Sequence, residues 1–84
     1  MMVNFRSRVL AVVAKIPKGS TMSYKEVAVA AGNAKASRAV GAIMKTNFNP
    51  DIPCHRVIRS DGKVGGYNRG VQKKIERLKE EGAM

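Results

Sequence analysis

Apolar side chains recur with a helical period over the first part of the chain. Between residues 4 and 16, Phe5, Val9, Val12, Val13 and Ile16 share a face, with Arg6, Arg8 and Lys15 elsewhere. The pattern predicts an amphipathic helix that Pro17-Lys18-Gly19 ends. A second helix is expected over residues 23–31. Ser23-Tyr24-Lys25-Glu26 fits a capping box, in which the serine and the glutamate satisfy each other's backbone donors. Val27 and Ala30 or Ala31 face inward, and Gly32-Asn33 closes the helix. Residues 35–45 read as a third helix with Val40, Ile43 and Met44 as its inner stripe. Its outer face is small: Ala36, Ser37, Ala39 and Gly41, with Arg38 alone among them. A glycine inside a helix costs about 1 kcal/mol relative to alanine. That cost is tolerated where another backbone comes close. Two short helices joined at Gly-Asn, the second small-faced and bearing an arginine, read as a helix-turn-helix.

Beyond them, residues 46–53 carry two prolines and two asparagines and read as a loop. Val57-Ile58, the turn Ser60-Asp61-Gly62-Lys63 and a return beginning at Val64 predict a hairpin over residues 56–66, the wing of a winged helix. Gly65-Gly66-Tyr67-Asn68-Arg69-Gly70 is a glycine-rich loop. No Gly-Lys-Ser/Thr follows it, so it reads as a close backbone approach to a ligand, not a nucleotide cradle. The last helix is expected over residues 71–82, with Val71, Ile75 and Leu78 inward and Lys73, Lys74, Arg77 and Lys79 outward. The fold class is mainly α: one winged helix-turn-helix-like domain over residues 1–84, of four or so helices with a small β-hairpin.

Composition narrows the partners. A chain of 84 residues builds one small core. It holds no tryptophan, and its aromatics are Phe5, Tyr24, Phe48 and Tyr67, so aliphatic side chains supply most of the packing. Sixteen basic against 6 acidic residues give a net charge of +10, spread along the chain. That balance points to a polyanion held on a folded face, nucleic acid first and an anionic membrane second. A single cysteine makes no internal disulfide, which fits a reducing compartment or a chemical use of the thiol. The N-terminus lacks the apolar stretch of a secretory signal. No apolar run approaches the roughly 20 residues that span a bilayer. One Cys and one His fall short of a structural zinc's ligand set, so neither metal nor cofactor is expected.

The candidate chemistry lies in Ile52-Pro53-Cys54-His55-Arg56-Val57-Ile58, where the only cysteine adjoins the only histidine. A thiol near pH 7 is only a few per cent thiolate without a base or a positive field. His55 is the candidate base. Neighbouring side chains diverge in both helix and strand, so the pair needs an irregular backbone, which Pro53 favours. A third group should orient the imidazole. Asp51, Asp61, Glu76, Glu80 and Glu81 are the candidates.

Pro53-Cys54-His55-Arg56-Val57 resembles the active-site signature of the O6-alkylguanine-DNA alkyltransferases. Ser23-Tyr24, residues 32–41, Asn47, Val64-Gly65-Gly66-Tyr67 and Glu81-Gly82 match the same family in order, over nearly the whole chain. The resemblance implies a single-use DNA repair protein, intracellular (cytoplasmic and nucleoid-associated, or nuclear) and monomeric. It would bind double-stranded DNA containing O6-alkylguanine through the minor groove. Arg38, Tyr24, Ala36, Ser37, Gly41 and Lys45 would contact DNA, Arg38 holding the place of an extruded nucleotide. Cys54 would take the alkyl group from O6 of the flipped guanine, with O4 of thymine a further candidate. His55 would act as base through a water, Glu81 would orient it, Tyr24 would protonate the departing base, and Asn47 would brace the hinge. Tyr24, Val57, Tyr67, Asn68 and Arg69 would line the guanine pocket, with Arg69 narrowing its mouth.

Two departures stand out. Family members usually carry an N-terminal ribonuclease-H-like domain, so the chain is expected to be the C-terminal domain alone or a minimal protein. The loop from Asn47 to Cys54 is one residue shorter than the family pattern, which leaves Asn49 as an alternative hinge. Three other readings compete. An alkyltransferase-like lesion sensor typically has tryptophan where this chain has Cys54. A plain winged-helix module leaves the Cys-His pair unexplained. A thiol hydrolase needs a cleft that a domain this small hardly offers.

Overall fold

The computed structural model describes residues 4–47, 49, 51–65 and 70–84. In chain order these form α1 (Phe5–Ala14), β1 (Met22–Ser23), α2 (Tyr24–Ala30), α3 (Ser37–Thr46), a 3₁₀ turn (Cys54–Arg56), β2 (Val57–Ile58) and α4 (Val71–Glu80). The fold is mainly helical, as the patterning predicts. Among the described residues, no helix is long and apolar enough to cross a membrane.

The helix starts follow from their caps. Asn4 accepts the Ser7 N–H at 2.8 Å and begins α1. The capping box of α2 forms in full. Ser23 Oγ accepts the Glu26 N–H at 3.0 Å, and Glu26 Oε1 accepts the Ser23 N–H at 2.9 Å. After Ala30 the chain turns through Gly32, whose φ of +96° only glycine adopts without strain. The third helix starts two residues later than the patterning predicts. Asn33 Oδ1 accepts the Lys35 N–H at 3.2 Å and the Ala36 N–H bonds Asn33 O at 3.1 Å, so residues 33–36 form a turn.

Helices α1, α2 and α3 pack on one another around a single cluster. Val9, Val13, Ile16, Val27, Ala28, Ala31, Val40, Met44, Cys54 and Val57 are buried in it. Phe5, Val12 and Ile43 of the predicted stripes are only partly buried against it. Cys54 and Val57 thus carry the central stretch into the core itself.

Two expectations are corrected. Among the described residues, which exclude Gly66, the predicted hairpin over residues 56–66 does not form. Its first limb, β2, pairs in parallel with β1, in the register Met22 to Val57 and Ser23 to Ile58. The turn is real: Arg59 N–H bonds Lys63 O at 2.9 Å and Gly62 N–H bonds Arg59 O at 3.1 Å. Asp61 Oδ1 takes the Lys63 N–H at 3.0 Å and Gly65 adopts a φ of +77°, so no extended return limb follows through Val64 and Gly65. The second correction is the face of α4. Leu78 points inward as expected, but Val71 is 48% exposed and Lys74, expected outside, is fully buried. The inner stripe is therefore Lys74, Leu78 and Glu81, at helical positions i, i+4 and i+7.

Ser23 holds a cap and a strand position together, so Ser23→Ala should destabilise the domain by about 1 kcal/mol. Urea unfolding should show a lower midpoint at an unchanged m-value.

Candidate active site

The backbone at Cys54 is irregular, as a working Cys-His pair requires. Pro53 sits at φ −78°, ψ 67°, and the Cys54 N–H bonds Ile52 O at 2.8 Å. This is an inverse γ-turn. It runs into the 3₁₀ turn, where the Arg56 N–H bonds Pro53 O at 2.9 Å. Cys54 and His55 are both buried, 8% and 4% exposed.

Of the five carboxylates that patterning left open, the structure brings Glu81, the one the family resemblance implies, to His55. His55 Nε2 lies 2.9 Å from Glu81 Oε2. With that nitrogen donating to the carboxylate, Nδ1 carries the lone pair. Nδ1 is buried and bonds no described residue. Burial pulls the imidazole below its usual pKa, and the bond to Glu81 opposes this without overcoming it. The ring is therefore a neutral base near pH 7.

Arg56 holds the same carboxylate. Its Nε donates to Oε1 at 2.9 Å and its Nη2 to Oε2 at 2.7 Å, a two-pronged pairing. Its Nη1 donates to Ile16 O at 2.8 Å, beyond the end of α1. The Arg56 guanidinium first, with His55 adding, holds the Glu81 carboxyl down at about 2. The patterning assigned Arg56 no role. Its only signal was its place beside His55.

Lys74 is the second residue the sequence reading missed. Its ammonium lies 5.6 Å from the centre of the Tyr24 ring. Burial lowers its pKa to about 8, while a charged Cys54 favours the ammonium. The signal was available once Glu81 was paired with His55, because residues 74, 78 and 81 share one helical face. Tyr24 is half-buried, and burial first and Cys54 second raise its phenol above the usual value, so it stays protonated.

Tyr24 also lines a groove of about 640 Å³ with Ser37, Arg38, Gly41, Arg59, Ser60 and Asp61. Arg38 is exposed, and a Cβ at Gly41 would meet nothing within 4 Å, so this small face is open. Ala36 is half-buried and Lys45 exposed; neither lines the groove. Val57 is fully buried in the core and paired with Met22 in the sheet, so it offers no exposed surface to the groove. Asn47 is buried at the end of α3 and its Oδ1 accepts the Asn49 N–H at 3.3 Å, whereas Asn49 is exposed. Tyr67, Asn68 and Arg69 lie outside the described residues. No cluster of three metal-ligating side chains occurs among the described residues.

A family described as the DNA binding domain of 6-O-methylguanine DNA methyltransferase matches residues 4–83. The chain belongs to this methyltransferase family. It is 53% identical over 78 residues to a methylated-DNA–protein-cysteine methyltransferase of Methanothermobacter thermautotrophicus, covering 93% of this chain and 44% of that protein. A mouse protein of the same name is 51% identical over 71 residues, covering 82% of this chain and 34% of its own length. The chain thus spans less than half of these relatives. Among solved structures, the Mycobacterium tuberculosis OGT in complex with DNA superposes with a TM-score of 0.88 at 39% identity, over 96% of this chain and 50% of that one. Schizosaccharomyces pombe Atl1, in complex with damaged DNA containing O6-carboxymethylguanine, gives 0.85 at 34%, over 98% and 79%. Within this family fold, Cys54, His55 and Glu81 come from two segments that only the packing of α4 brings together.

Since the folded carboxyl of Glu81 titrates near 2 against a usual value of 4.5, its contribution is complete above about pH 5. It is lost as pH falls through about 2. Glu81→Gln should remove this component of acid sensitivity, measured as the difference between the two circular-dichroism pH titrations. At neutral pH it should cost about 3 kcal/mol, because Arg56 loses its partner.

Proposed function

We propose that this domain binds alkylated duplex DNA and takes the alkyl group of an extruded O6-alkylguanine irreversibly onto Cys54. One observation carries the reading. A buried thiol adjoins a neutral histidine whose Nε2 is held by a carboxylate, and Tyr24 belongs both to that site and to a basic groove.

Duplex DNA would lie along α3, with Arg38 entering the stack. Extruding a base costs a few kcal/mol, which the inserted arginine and phosphate contacts offset. In the reaction, His55 Nδ1 takes the Cys54 proton through a water. The thiolate attacks the alkyl carbon, the new S–C bond forms and the C–O6 bond breaks. The bond pair leaves with guanine, which takes its proton from the Tyr24 phenol. Lys74 and the Cys54 thiolate stabilise each other's charge. The product thioether has no ready leaving group, so each chain reacts once. No cofactor enters. Asn47 braces the junction between α3 and the loop to Cys54. The groove and the net charge of +10 support the DNA partner.

The test is to incubate the protein with duplex DNA carrying O6-methylguanine and to measure its intact mass. A gain of one methyl group, never more than one per chain and lost in Cys54→Ser, is the expected result. Lesion binding at unchanged mass would replace transfer with sensing, the reading that the Atl1 likeness keeps open.

Because burial holds His55 below its usual 6.5, the base stays competent as pH falls through that value. The acid limb of the transfer rate should therefore lie below pH 6.5. Rapid-quench rates over a pH series check this, and an acid limb above 6.5 would rule out His55 as the neutral base described here.

A further inference from the structure

The proposed reading uses one lip of the groove, the α3 side with Arg38. The facing lip is built by Arg59, Ser60 and Asp61, just after β2. We infer that Arg59 is a second DNA-phosphate contact of this groove, and that Asp61 is its built-in counter-ion, displaced when a phosphate arrives. This rests on the DNA-binding reading above.

Three features of the structure support it. First, the backbone of Arg59 is fixed at both ends: its N–H bonds Lys63 O at 2.9 Å and its carbonyl accepts the Gly62 N–H at 3.1 Å. The side chain therefore springs from a rigid turn. Second, Arg59 reaches the site. A Cβ added at Gly65 would meet Arg59 Cγ at 3.1 Å and Tyr24 Oη at 3.3 Å, so both side chains lie against the same glycine. Arg59 also lowers the Tyr24 pKa, against the stronger effect of burial. A guanidinium here sits where a nucleotide displaced toward Tyr24 brings its own phosphate. Third, the partner is exchangeable. Arg59 Nη2 and Asp61 Oδ2 are 2.8 Å apart, but their side chains are 54% and 43% exposed. An ion pair this exposed contributes little to stability. A phosphate offers the same guanidinium a two-pronged acceptor with more charge. Asp61 is the one carboxylate among the described residues that line the groove, and its other oxygen already holds the Lys63 N–H.

The alternative is that the pair merely braces the turn. The two ideas predict different signs. If it is a brace, Arg59→Gln and Asp61→Asn change DNA affinity in the same direction or not at all. If Asp61 competes with phosphate, the variants move oppositely. Asn in place of Asp keeps an oxygen for the Lys63 N–H, so the turn survives.

The experiment is fluorescence anisotropy of the intact chain on a duplex carrying O6-methylguanine, repeated over a series of salt concentrations. Arg59→Gln should weaken binding about five- to tenfold and reduce the slope of log K against log salt by about 0.9. Asp61→Asn should tighten binding several-fold at low salt. Thermal melts should leave both variants folded like the parent. If the parent binds with a steep salt slope but Arg59→Gln keeps that slope, or Asp61→Asn weakens binding, the inference fails and the DNA-binding reading stands. If the parent itself shows no salt-dependent binding, the underlying reading fails with it.

Discussion

Three donors converge on the two carboxylate oxygens of Glu81. Arg56 supplies two of them and His55 the third, all within 2.7–2.9 Å. The remaining arm of Arg56 reaches Ile16 O, past the end of α1. One partly buried carboxylate thus ties the C-terminal cap of α4 to the 3₁₀ turn of Cys54 and to the end of α1. The rest of the site depends on this knot. Without it, His55 has no fixed tautomer and the C-terminal end of α4 loses its tie to the 3₁₀ turn. Burial is what chiefly keeps the histidine neutral, and the nearby Arg56 charge adds to it, so the carboxylate orients the imidazole without holding it protonated at pH 7.

The other side of Cys54 is set by burial more than by pairing. Burial raises the Tyr24 phenol and lowers the Lys74 ammonium, because each loses water around its charged form. A protonated phenol and a neutral imidazole are therefore available in one site at the same pH. Opposed environments that push an acid and a base apart are the usual means of dividing proton roles within one site. Lys74 adds a cation whose pKa of about 8 leaves it mostly charged near neutrality.

Much of this was legible from local pattern. The capping box at Ser23 and most inward positions of α1 and α3 rest on short-range rules, and the structure follows them. The central pentapeptide and its flanking blocks pointed to the family. What escaped depends on partners distant in sequence. The strand at Val57-Ile58 was visible, but its partner Met22-Ser23 lies across two helices, and the Asp-Gly turn pointed to a nearer one. Hydropathy alone placed Lys74 in solvent, because α4 looked better with Val71, Ile75 and Leu78 inside. The true stripe is chosen by Glu81, which must face His55, and a rotation of one residue carries Lys74 inward with it. Arg56 was invisible as a clamp because both of its partners, Glu81 and Ile16, are remote in the chain.

Choosing that face of α4 couples chemistry to stability. In a domain this small each inward position matters, and on α4 two of the three carry charge-bearing groups instead of methyls. The helix is consequently held to the body by Leu78 and by the Glu81 knot together. Protonating Glu81 would release Arg56, leave a guanidinium short of its partner and free the imidazole at the same time. Loss of the oriented base and loosening of α4 are then one event seen in two readouts. Under the single transfer proposed above, the site has no turnover to protect and needs to hold only until the thiol has reacted. A carboxylate that both anchors α4 and orients the imidazole would satisfy that requirement with fewer residues than a separate apolar seam and a separate triad would need.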